Sequence, residues 1–143
     1  MLIFLSSLGA VVLGAIIQNS NFAILGVKPN FVLVIILAFG LLESDWLKRF
    51  ILVLLAIATL IIEPNIGIET ILAALIFVIA LILLDFLPWK GVANSALALT
   101  ICTLLINLNV FRFGVFFTEA IYNLSLLGLL VLLFTLSGVK YSK

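Results

Sequence analysis

The chain has 143 residues, 66% of them hydrophobic and only 9% charged, with a mean hydropathy of +1.53. Soluble domains are about half apolar and roughly one-quarter charged, so a water-exposed fold of this length would leave more apolar surface than its charges could break up. Lys and Arg number 7 against 6 Asp and Glu, a formal charge of +1 that supplies no basic face for nucleic acid. His is absent and Cys102 is the sole cysteine, which removes the commonest metal ligand, the commonest general base and any internal disulfide. These features predict a non-enzymatic, all-α membrane protein without cofactor or metal, its solvent mostly lipid.

Six apolar runs follow in order: Leu2 to Ile17, Pro29 to Leu42, Leu47 to Ile62, Ile66 to Leu87, Val92 to Leu108 and Val115 to Val139. A spanning helix needs about 20 residues for a hydrocarbon core of roughly 30 Å, so six spans use nearly all of residues 1–143 and predict one compact six-helix domain. The first run has no positive residue ahead of its apolar stretch and no small-x-small site behind it, so it reads as a retained span rather than a cleaved signal. Pro29 suits the first turn of the second helix, while Pro64 and Pro88 end the third and fourth. Glu43 to Arg49 is the one dense charge cluster and reads as a tight loop. The second run is short: either its helix continues to Trp46, or it begins deep in the protein beneath a buried 19–28 segment.

The cationic residues set the orientation. With six spans, Lys48, Arg49, Lys90, Lys140 and Lys143 fall on the side of both termini, and Lys28 and Arg112 fall on the other. The excess places both termini in the cytoplasm, with Trp46, Trp89 and Tyr141 at the same interface.

Polar residues then gather toward the outer end. Gln18, Asn19 and Asn21 close the first span, Glu63 and Asn65 flank Pro64, and Glu69 and Thr70 open the fourth span. Asn107 and Asn109 close the fifth, and Glu119, Tyr122 and Asn123 open the sixth. Ala96, Thr100, Thr103 and Asn107 share one helix face, as do Glu119 and Asn123. Polar groups at membrane depth turn toward protein or water, so Gln18, Glu63, Asn107, Glu119, Tyr122 and Asn123 are the candidate outer pocket or partner contact. The plainer alternative is that they cap helix ends and bond across helices. Asp85 sits near the opposite face, and a conducting path needs polar stations through the whole thickness, which argues against a channel or proton pump.

Ser6, Ala10 and Gly14 recur every four residues along the first span, a small-residue row suited to close helix approach. It serves either docking of a partner helix or packing against a neighbouring span.

The short loops, Gln18 ending the first span, Val27-Lys28-Pro29-Asn30-Phe31 opening the second, Glu63 followed by Gly67, and Glu119-Ala120-Ile121-Tyr122-Asn123 before an aliphatic tail together resemble the MreD family, bacterial rod shape-determining membrane proteins. The resemblance implies a subunit of the cell-elongation and peptidoglycan-synthesis machinery in the bacterial inner membrane. It would bind a bitopic MreC-like protein and, through it, an actin-like filament protein and peptidoglycan synthases. That family is similar in fold to the substrate-binding subunits of energy-coupling-factor vitamin transporters, whose first helix docks through small residues. A transporter subunit is therefore the alternative implied function.

Overall fold

The computed structural model describes residues 2–20, 23, 26–60, 68–88, 91–108 and 112–139. Six α-helices follow the six apolar runs: α1 Leu2–Asn19, α2 Phe31–Leu42, α3 Trp46–Leu60, α4 Ile68–Phe86, α5 Val92–Asn107 and α6 Phe113–Leu136. Among the described residues only α6, with 24 residues and a mean hydropathy of 1.9, is long and apolar enough to cross a membrane unaided. The others are shorter apolar helices, so the expectation of six full-length spans is not met by helix length.

The shortest helix is α2, in keeping with the short second run, and it ends at Leu42 without continuing to Trp46. Its 12 residues reach about 18 Å at the α-helical rise of 1.5 Å per residue, well short of a bilayer core. It packs against α1, α3, α4, α5 and α6 and forms the axis of the bundle. The other helices make a ring in the order α1, α3, α4, α5, α6, each touching the next. The ring is not closed, because α1 and α6 make no close backbone approach. A helix surrounded by helices on nearly every side has no polar face to show, which fits the all-round apolar sequence of α2. Its Val32, Leu33, Ile36, Leu37 and Ala38 are inaccessible, and only Phe31 and Ile35, four residues apart, keep partial exposure.

Small residues let the ring close on this axis. Ala15, Ala56, Ala80 and Ala98, from α1, α3, α4 and α5, are fully buried. Alanine at these positions permits close approach of the helix backbones. Gly40 of α2 works in the same way, since a Cβ there would lie 2.5 Å from Cδ1 of the buried Leu84.

The helix starts also differ from expectation. Pro29 lies before α2 rather than in its first turn, because Asn30 takes the N-cap position and its Oδ1 accepts from the Leu33 N–H at 3.1 Å. The Glu43–Arg49 charge cluster is a loop only over residues 43–45. The Asp45 carboxylate accepts from the Leu47 N–H at 3.0 Å, so α3 begins at Trp46 and carries Lys48 and Arg49 in its first turn. Lys48 pairs with Glu43 at 3.1 Å. Partial desolvation raises the Glu43 pKa, but the Lys48 ammonium and the Asp45 N–H more than offset this and hold it below the usual carboxylate range.

Arg49 turns inward. It is only 3% exposed, donates through Nε to the Glu43 carbonyl and pairs with Asp85 of α4 at 3.0 Å. At the same end the Asn94 amide donates to the carbonyls of Leu84 and Leu87, meeting the open acceptors where α4 ends. Asp85→Ala should therefore destabilise the bundle by leaving Arg49 without its carboxylate. The expected loss lies near the low end of the roughly 3–5 kcal/mol associated with breaking a buried pair, because Asp85 is 32% exposed. Thermal melting in detergent checks this, and replacing both partners (Arg49→Met with Asp85→Leu) should recover most of the loss.

Candidate functional site

The N-terminus of α2 lies inside the bundle, and an α-helix leaves its first N–H groups without intrahelical acceptors. Water answers them on a surface, but here three side chains do so. The Gln18 Oε1 of α1 accepts from Val32 N–H at 3.1 Å, Asn30 Oδ1 accepts from Leu33 N–H, and Asn123 Oδ1 of α6 accepts from Asn30 N–H at 2.8 Å. The Val34 N–H then makes the first helical bond, to the Asn30 carbonyl.

The network continues outward from Asn123. Its Nδ2 donates to Thr103 Oγ1 at 3.1 Å, and both side chains are fully buried. One turn on, Asn107 Nδ2 donates to the Thr103 carbonyl at 2.9 Å and to Glu119 Oε2 at 2.7 Å. Glu119 is 7% exposed, so its carboxylate sits in the wall between α5 and α6. The i,i+4 spacing on each helix sets these two acceptors and two amides at matching heights, which is why α5 and α6 join at this end.

The candidate residues thus divide. Gln18, Asn107, Glu119 and Asn123 belong to one end of the bundle and take part in the capping network. Tyr122 is half-buried beside them and makes no hydrogen bond among the described residues. Arg112 is exposed where α6 begins and Lys28 donates to the Ser20 carbonyl, so neither cation pairs with Glu119. Thr100 bonds only to Ala96 of its own helix. Glu63, Pro64, Asn65 and Gly67 lie outside the described residues, as do Asn21, Trp89, Lys90, Asn109, Lys140, Tyr141 and Lys143. Glu69 falls in the first turn of α4.

The small-residue row of α1 does not act as one groove. Ser6 is exposed, Ala10 half-buried and Gly14 buried, because a four-residue step drifts around a helix of 3.6 residues per turn. A Cβ on Gly14 would lie 2.5 Å from Ile35 Cδ1 and 3.7 Å from Phe31 Cβ of α2. Gly14 is therefore internal packing, whereas the outward face near Ser6 includes Leu5, Gly9, Leu13 and Ile16, with open space above Gly9.

Two network members were not among the candidates as such. Asn30 carried its own signal, an Asn immediately before an apolar run. Thr103 lay on the recognised α5 face, but nothing in its spacing named Asn123 as its partner. Comparison with protein families, curated proteins and solved structures finds no match to this chain.

Asn123→Leu should lower stability by about 1–3 kcal/mol, the usual effect of leaving a buried N–H unanswered. Glu119→Gln, which still offers Asn107 an amide oxygen, should be milder than Glu119→Ala. Gly14→Leu should lower the melting temperature of the isolated protein, because its side chain meets α2. A Gly14→Leu protein that melts like the parent would place this row outside the core.

Proposed function

We propose that the protein is a non-enzymatic integral membrane subunit of the bacterial cell-elongation machinery, seated in the inner membrane with both termini cytoplasmic. It would hold a bitopic MreC-like partner by a helix–helix contact, and reach an actin-like filament protein and peptidoglycan synthases through it. The observation that carries this reading is the seam in the ring. The central helix α2 is covered everywhere except beside Phe31 and Ile35, and α1 and α6 stay apart.

The outward faces suit such a contact. Leu5, Leu13 and Ile16 of α1 and Leu129, Leu132 and Leu133 of α6 are exposed and apolar, appropriate to lipid and to a transmembrane helix. Gly9 adds a recess at which another backbone approaches closely. The Gln18, Asn30 and Asn123 oxygens cap α2 and Arg49 pairs with Asp85, so these groups are held within the bundle and the apolar faces named here offer dispersion contacts. The family resemblance supports the identity of the partner, and the lysine and arginine distribution supports the orientation.

Purification in mild detergent from the native membrane tests the reading. Co-recovery of a single-span protein with a coiled-coil extramembrane region is expected. Gly9→Trp should reduce that recovery while leaving the melting temperature unchanged, since an added side chain there meets open space. Recovery of ATPase subunits with a coupling protein would instead establish the transporter reading. Release of the protein from membranes by alkaline carbonate would overturn both.

A further inference from the structure

A cavity of about 610 Å³ lies between α4 and α5, at the end of the bundle where α2 begins. Its walls are hydrocarbon, among them Leu72, Ala73 and Ile76 of α4 and Ile106 of α5. Leu72 and Leu75, which line it, are also exposed on the flank of α4, so the cavity reaches the outer surface of the bundle from the side. Gln18 and Asn30 are the two polar residues among those that line it.

Those two amides have fixed orientations. Each oxygen accepts from a backbone N–H of α2, so each NH2 group is the part left over. Neither NH2 finds an acceptor within the protein among the described residues. The cavity therefore pairs a hydrocarbon wall with donors that lack acceptors, beside a helix N-terminus whose dipole favours negative charge. A ligand that answers both has an apolar chain and an oxygen-rich head.

We propose that this cleft binds one acyl chain of a membrane phospholipid, with an ester carbonyl or phosphate oxygen accepting from the Gln18 and Asn30 amides. Its volume falls in the roughly 300–1,000 Å³ range of ligand sites, and the exposed flank of α4 at Leu72 and Leu75 gives a lateral approach suited to a molecule already dissolved in the bilayer. The proposal rests on the membrane setting but not on the protein partner, and it concerns a different face from the α1/α6 seam.

Native mass spectrometry of the full chain in detergent, with added palmitoyl-oleoyl phosphatidylglycerol, tests it. The parent protein should retain one lipid that resists delipidation. Ala73→Trp should fill the cleft and abolish retention. Gln18→Glu and Asn30→Asp keep an acceptor for the α2 N–H groups but remove the donors. Each should weaken retention by at least about tenfold, the factor for one hydrogen bond to a charged group, without loss of helical circular dichroism. Equal retention by all variants would overturn the proposal, as would no retention by the parent. Binding of inorganic phosphate alone with no retention of lipid would show an anion site and overturn the acyl-chain assignment. Carbonate extraction separates these failures from failure of the membrane setting itself.

Discussion

A helix that starts inside a bundle must have its first N–H groups answered by the protein, and this requirement organises the structure. The central helix α2 is too short to carry both ends to water and too apolar to lie on a surface. An unanswered backbone group is costly in any apolar setting and most of all in lipid. Gln18, Asn30 and Asn123 are the response, drawn from α1, the chain just before α2, and α6. Thr103 and Asn107 hold Asn123 and Glu119 in turn, which ties α5 to the same end. Five helices thereby acquire fixed relative heights through a handful of amides: α1, α2, α5 and α6 directly, and α4 through its packing on α2 and α5.

The opposite end solves the complementary problem with charge. There the orphan groups are carbonyls, where α2 and α4 end, and the donors are Arg49 and Asn94. Arg49 joins the Glu43 carbonyl to Asp85, so α3 is fixed to both α2 and α4. Donor-rich side chains at helix C-termini and acceptor-rich ones at an N-terminus follow the polarity of the peptide group. The two ends thus use different residues for one physical reason.

Engaging polar groups in this way leaves the exterior apolar. A surface of leucine, isoleucine and phenylalanine with recesses at Gly9 and between α4 and α5 is chemically suited to helices and hydrocarbon chains, and recognition there depends on shape. The proposed partner seam and the proposed lipid cleft are separate recesses in that exterior. The seam lies where the ring of helices is incomplete, the cleft lies beside α4 and α5 at the end where α2 begins, and both leave the capping bonds to α2 in place.

The sequence by itself determined the helical class, the number of helices and their limits to within three residues. The apolar runs and their polar punctuation are local properties, and Val92 and Leu42 mark observed helix limits. It also marked Gln18, Asn107, Glu119 and Asn123, because polar residues in so apolar a chain need a reason. Their partners were decided only by the tertiary structure: Asn30 meets Asn123 across 93 positions, and Arg49 meets Asp85 across 36. Helical periodicity gives a residue's face but not which helix that face meets. The same limit explains Gly14, whose row allowed both a docking groove and internal packing and which lies against α2, and α2 itself, whose all-round hydrophobicity fits a membrane span and a central axis alike. Length hinted at the difference, and the ring of neighbours settled it, because burial on nearly every side belongs to the packing of the whole chain and not to any segment of it.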